Sequence, residues 1–124
     1  MKSKTILWVV VLVILVALPL GYYYLYASTP GPLDGFAECL KDKGATFYGA
    51  FWCPHCQAQK ALFGKSKSKL PYVECSSADG QSQLPVCKEK KIEGYPTWIF
   101  ADGSRLSGEV SLDDLASTTG CTLP

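Results

Sequence analysis

Two cysteines separated by two residues, Cys53 and Cys56, sit in the stretch Trp52-Cys53-Pro54-His55-Cys56. An apolar, strand-like run from Thr46 to Phe51 precedes them and a helical pattern starts at Pro54. Cys-x-x-Cys between a strand and a helix reads as a redox motif. Proline at the first helical position is a start signal. It places the Cys53 sulfur at the helix N-terminus, where free N–H groups and the helix dipole favour the thiolate. The thiolate is the attacking species in disulfide exchange. His55 adds to this when it is protonated or donates a hydrogen bond. Cys56, one turn on and facing inward, is the expected resolving thiol. The competing readings are a structural disulfide and half of a metal site. A c-type haem attachment needs histidine directly after the second cysteine, and Gln57 stands there.

The chain has 124 residues, enough for one domain, and part of it is not domain. Ile6 to Leu20 carries no charge, and Gly21 to Ala27 extends the run with four tyrosines. As a helix, residues 6–27 would span ~33 Å, enough to cross a bilayer core. Tyr22, Tyr23, Tyr24 and Tyr26 stand where an interfacial aromatic belt would. Lys2 and Lys4 precede the run, and the next basic residue is Lys41. The positive-inside rule then puts the N-terminus in the cytoplasm and the rest outside, in a periplasm, at the cell exterior or in a thylakoid lumen. A cleaved signal peptide is the alternative, but large Leu25 makes cleavage after Ala27 poor, and an uncleaved anchor is favoured. Either way the domain faces an oxidising compartment.

The expected organisation is a cytoplasmic tip and anchor at 1–27, a linker at 28–32 and a domain at 33–124. With Lys2 and Lys4 assigned to the anchor, the domain holds ten basic against eleven acidic side chains, which gives no support to nucleic-acid binding. A core of about 90 residues is modest and gains from covalent staples. All six cysteines lie in this domain, which suggests disulfides.

The linker Ser28-Thr29-Pro30-Gly31-Pro32 rejects helix. Leu33, Phe36, Ala37 and Leu40 fall on one face of a helix from Leu33 to Lys43, which carries Cys39. Ala45 to Phe51 reads as a buried strand, Pro54 to Gly64 as a helix, Lys65 to Lys69 as a solvated basic loop and Leu70 to Cys75 as a second strand. Gln83 to Lys91, with Cys87, forms a short helix, and Pro96 opens a strand through Phe100. A cis Tyr95–Pro96 bond there would bring backbone close to the Cys53 sulfur. Asp102-Gly103 is a hairpin turn signal, Arg105 to Gly108 the partner strand and Ser111 to Thr119 the last helix. Ser111 with Asp114 makes a capping box, and Gly120 closes the helix. This order gives an α/β domain, a mixed sheet covered by helices on both faces, after one transmembrane helix.

Strand, Cys-x-x-Cys, helix, then a proline-opened strand and a hairpin resembles a thioredoxin-like fold. Tyr48-Gly-Ala-Phe-Trp-Cys-Pro-His-Cys-Gln57, Pro71-Tyr-Val-Glu-Cys75, Cys87, Gly94-Tyr-Pro-Thr-Trp98 and Leu115-Ala116 with Gly120 resemble the thioredoxin-like domain fused to bacterial and plant homologues of vitamin K epoxide reductase. The resemblance covers about Leu33 to Cys121. It implies a thiol–disulfide oxidoreductase with no cofactor beyond the redox-active Cys53–Cys56 disulfide and no metal. It also implies that the domain oxidises exported protein thiols and passes electrons to a quinone-linked membrane partner. Two departures matter. The membrane bundle of the fused proteins is absent here, so quinone chemistry would belong to a separate protein. Thioredoxins also carry a buried acid six residues before the first active cysteine, where Phe47 stands. The acceptor of the Cys56 proton is left open, with Glu74 or water as candidates.

Pro54 and His55 between the cysteines favour the reduced form and make the pair oxidising. The resemblance suggests a structural Cys75–Cys87 disulfide, with a second redox shuttle as the alternative. Cys39 and Cys121 pair by subtraction, against free thiols or an intermolecular bond. Trp52 and Trp98 either frame a substrate groove or pack in the core, and Tyr95 shapes the surface beside Pro96. The rival functions are a reductase or isomerase with the same residues, a metal-binding module built on Cys53, His55 and Cys56, and a structural anchor with an inert Cys-x-x-Cys. His55 is the only histidine, which supplies a four-ligand zinc site poorly.

Overall fold

A computed structural model describes residues 2–124; Met1, the tip of the expected anchor segment, lies outside the described residues. The chain divides into two compact units that meet after Pro30. The first is α1, Lys2–Ser28, one 27-residue helix. It is long and apolar enough to cross a membrane. It begins at the lysines, which are good helix formers, rather than at the apolar run.

The second unit, Gly31–Pro124, follows the order α2 (Asp34–Asp42), β1 (Thr46–Gly49), α3 (Pro54–Ala61), a 3-10 segment (Gly64–Lys69), β2 (Tyr72–Glu74), α4 (Pro85–Glu89), β3 (Thr97–Ile99), β4 (Arg105–Ser107) and α5 (Leu112–Thr119). The four strands form one sheet in the order β2-β1-β3-β4. β1 pairs parallel with β2 and antiparallel with β3, and β3 pairs antiparallel with β4. A parallel pair needs a crossover, and α3 with the 3-10 segment supplies it.

Alternation along the strands decides what each face holds. Phe47 and Trp98, directly opposite each other in β1 and β3, join Phe36, Leu40, Cys56, Phe63 and Leu115 in the larger cluster. Their rings stack at 5.0 Å. Tyr48 points the other way and packs with Cys75, Cys87 and Ile92. The sheet is thus covered on one side by α2, α3 and α5 and on the other by the α4 region.

Trp98 is fully buried, so it does not frame a groove. The phase of β3 turns it into the core beside Phe47, and Thr97 and Ile99 take the other face. Its indole nitrogen has no hydrogen-bond partner among the described residues. The strands are also shorter than the apolar runs that carry them: Pro96 lies before β3, and its carbonyl accepts from Gly108 N at 2.9 Å. The basic stretch is not a plain solvated loop. Ser66 within it is buried, its hydroxyl accepts from Leu33 N at 3.0 Å, and Lys69 pairs with Glu38 at 3.1 Å. The α5 cap takes its expected form: Ser111 Oγ accepts from Asp114 N at 3.1 Å, and Gly120 takes φ 74°.

Cys39 is bonded to Cys121 and Cys75 to Cys87, with sequence separations of 82 and 12. The first bond ties α2 to the chain beyond α5. The second closes the loop that runs from the end of β2 into the short helix α4. Loop-closure entropy in the unfolded chain grows with loop length. The double variant Cys39→Ala/Cys121→Ala is therefore expected to lose on the order of 4 kcal/mol and Cys75→Ala/Cys87→Ala about 3 kcal/mol. Urea unfolding of both variants checks the order; a larger loss from the shorter loop contradicts it.

Candidate active site

The site is built where β1 ends and α3 begins. Cys53 is the N-cap of α3 with extended backbone, Pro54 is the first helical residue, and no side chain caps the helix. The free N–H groups of the first turn therefore surround the Cys53 position. Cys53 and Cys56 are both free thiols. Cys53 is 5% exposed and Cys56 0%, so an incoming sulfur reaches the pair only through Cys53. Around it, Trp52 is 53% exposed and the His55 side chain 69%.

Three further elements converge on Cys53. The Tyr95–Pro96 bond is cis, and the Tyr95 carbonyl accepts from the Cys53 thiol at 3.7 Å. The Trp52 indole N–H donates to Ser76 Oγ at 2.9 Å, and its ring meets the Tyr95 ring edge-on at 6.0 Å. Tyr95 Oη in turn accepts from Gln83 Nε2 at 2.9 Å. Ser76 and Gln83 lie between the bonded cysteines 75 and 87, so that closed loop braces both aromatic walls of the site.

Cys56 is shaped by what surrounds it. β1 ends in Gly49, where a Cβ would lie 2.9 Å from Cys56 Sγ and 3.0 Å from Tyr72 Cε2. Any larger residue there would displace the sulfur. Burial pushes the Cys56 thiol up to about 12, opposed by a backbone hydrogen bond from Ala50 and reinforced by the neighbouring Cys53. The two cysteines thus have different surroundings, one at a helix N-terminus and one in the core.

Sequence reasoning missed several supporting residues. His55 Nδ1 is 2.7 Å from Glu109 Oε1, from a residue 54 positions away. Glu109 is delivered there by Gln59, fully buried on α3, whose amide donates to Val110 O at 3.0 Å and accepts from Val110 N at 2.7 Å. No local pattern announces a contact across such a separation. Tyr72, expected only as a strand residue, is the ring beside Cys56. Phe47 fills the position of the missing acid with a fully buried ring against Tyr72 and Trp98. Among the described residues, no group of three or more His, Cys, Asp or Glu side chains has metal-holding geometry.

The thioredoxin family model matches residues 36–119, most of the chain. The chain belongs to the thioredoxin family. The chain is similar to the thiol-disulfide oxidoreductase LTO1 of Arabidopsis thaliana, 47% identical over 91 residues that make up 70% of this chain and 24% of that protein. It is also similar to a protein disulfide-isomerase of Arthroderma benhamiae, 32% identical over 69 residues, 52% of this chain and 13% of that protein. The chain therefore spans less than a quarter of the length of these curated relatives.

The burial of Cys56 fixes the pH dependence of alkylation. A thiol held up to about 12 stays protonated and unreactive well below that pH. Iodoacetamide on the reduced full chain at about pH 8 is expected to modify Cys53 and spare Cys56, with Cys56 reacting only as pH nears 12. Peptide mass spectrometry reads both sites; equal labelling at about pH 8 contradicts the burial argument.

Proposed function

We propose that this protein is an extracytoplasmic thiol–disulfide oxidoreductase that oxidises exported protein thiols through Cys53–Cys56. The observation that carries the reading is the asymmetry of the pair: Cys53 at the N-cap of α3, Cys56 sealed behind it. In the oxidised protein, a substrate thiolate attacks Cys53 Sγ. The Cys53–Cys56 bond breaks, Cys56 leaves with the electron pair and takes up a proton, and substrate and Cys53 share a mixed disulfide. A second substrate thiolate attacks the substrate sulfur of that bond. The substrate gains a disulfide, Cys53 leaves as thiolate, and two electrons now rest on the pair.

Trp52 and Tyr95 form the surface on which the substrate chain lies, and the Tyr95–Pro96 backbone borders the reacting sulfur. His55, on the first turn of α3 and held at Glu109, favours the reduced form of the pair, which makes it an oxidant. With α1 as an anchor whose lysines stay in the cytoplasm, the domain works outside. Reoxidation then needs a membrane partner. The motif resemblance favours a quinone-linked membrane protein of the vitamin K epoxide reductase type. The reductase or isomerase reading uses the same residues and differs in the potential of the pair.

The test uses the oxidised full chain in detergent and a reduced, unfolded protein with two cysteines. The expected result is loss of two substrate thiols per chain within one turnover, abolished in Cys53→Ser. Substrate thiols that persist beside the oxidised chain contradict the proposal.

A further inference from the structure

Reoxidation of the pair contains a proton transfer whose acceptor the sequence left open between Glu74 and water. When a Cys53 thiolate has attacked a disulfide, Cys56 must lose its proton before it can resolve the resulting mixed disulfide. Cys56 is fully buried, and the family's acid position is occupied by Phe47. A base is nonetheless close in the fold, reached from a different strand.

Tyr72 and Glu74 are alternate residues of β2 and so share one face of the sheet. Tyr72 lies opposite Phe47 in the β1–β2 register, and Glu74 opposite Gly49. Cys56 Sγ and the Tyr72 ring both close on Gly49, 2.9 Å and 3.0 Å from where its Cβ would stand. The Tyr72 hydroxyl donates to Glu74 Oε2 at 2.7 Å. The other carboxylate oxygen, Oε1, accepts from Phe51 N at 3.2 Å and Ser76 N at 2.9 Å. Lys60, one turn beyond Cys56 on α3, sets its ammonium 3.4 Å from the centre of the Tyr72 ring. A groove of about 770 Å³ lined by Gln57, Lys60, Lys67 and Tyr72, among others, opens beside the Lys60–Tyr72 side of this cluster.

We propose that Glu74, acting through the Tyr72 hydroxyl, accepts the Cys56 proton when Cys56 resolves a mixed disulfide on Cys53. This rests on the dithiol exchange proposed above. As the mixed disulfide forms, the Cys56 thiol moves within reach of the Tyr72 oxygen, and its proton passes there as the Tyr72 proton passes to Glu74 Oε2. The Cys56 sulfur then attacks Cys53 Sγ, the Cys53–Cys56 bond forms, and the partner sulfur leaves with the electron pair. Cys56 is oxidised and the partner sulfur reduced. Glu74, itself partly exposed, returns its proton to solvent.

The surroundings fit a relay. Burial and the bond to Glu74 raise the proton affinity of Tyr72, so at rest it holds its proton and passes one on only as it receives another. The charged and titratable groups facing Cys56 are Cys53 and Lys60 from α3 and Tyr72 from β2, with Glu74 behind Tyr72. Lys60 opposes the rise at Cys56, as a cation beside a forming thiolate should. Glu74 also staples the backbone at Phe51 and Ser76, and a purely structural role would end there. Glu74→Gln separates the two roles, because the amide oxygen can still accept from Phe51 N and Ser76 N. Tyr72→Phe keeps the ring and removes the relay atom.

The experiment uses the reduced full chain in detergent with oxidised glutathione at about pH 7. Rapid-quench mass spectrometry follows the glutathione adduct on Cys53 as it forms and as it is lost to the Cys53–Cys56 disulfide. Both variants are expected to form the adduct at the wild-type rate and to resolve it about tenfold or more slowly. Their resolution rates should climb steeply with pH where the wild-type rate is flatter, because hydroxide replaces the missing acceptor. Wild-type resolution rates and pH profiles in both variants would overturn the proposal, as would equal slowing of adduct formation. Slowing in Glu74→Gln alone would overturn the route through Tyr72. A wild-type chain that forms no adduct would overturn the exchange reading itself, and this proposal with it.

Discussion

Everything at this site depends on placing two chemically identical side chains in unlike surroundings three residues apart. One turn of helix does it. Cys53 sits before the first turn of α3, where N–H groups have no partners, and Cys56 points back into the core. That geometry demands room behind the helix, and β1 provides it by ending in Gly49. The rest of the domain holds these two conditions in place. Phe47 and Trp98 pack the sheet under α3, and the Cys39–Cys121 bond ties α2 to the C-terminal segment.

The surface of the site is held from three directions by groups far apart in sequence. The loop closed by Cys75–Cys87 braces Trp52 through Ser76 and Tyr95 through Gln83. The Tyr95 carbonyl meets the Cys53 thiol. From the opposite end of the chain, the paired hydrogen bonds between Gln59 and Val110 set Glu109 against His55. An exposed side-chain contact on its own contributes little. Here one partner is fixed by a buried backbone clamp, so the orientation of His55 depends on the fold as well as on its own rotamer.

Much of this was legible because the signals are local. Proline after Cys53, glycine after α2 and α5, and the Ser111–Asp114 cap mark element ends through backbone conformation alone. The α/β order and the mixed sheet follow from them. What was not legible involves phase and distance. A three-residue strand does not reveal which of its side chains faces inward, so Trp98 was readable as groove or core until its pairing with Phe47 decided it. Ser66 lies among lysines and looks solvated, yet its hydroxyl serves the start of α2. Glu109 and Gln59 carry no motif, and their role exists only once α3 and the segment before α5 are side by side. Tyr72 is the instructive case: its residue type suited a strand, and only its register opposite Phe47 brings it to Cys56.

The central claim is that helix N-terminus, buried partner and His55 together make Cys53–Cys56 an oxidant. The most direct measurement is its reduction potential in the full chain, equilibrated against a glutathione series. The account predicts a value of about −120 to −180 mV, in the range of proteins that donate disulfides. A value of about −270 mV, that of a reducing thioredoxin, would contradict it.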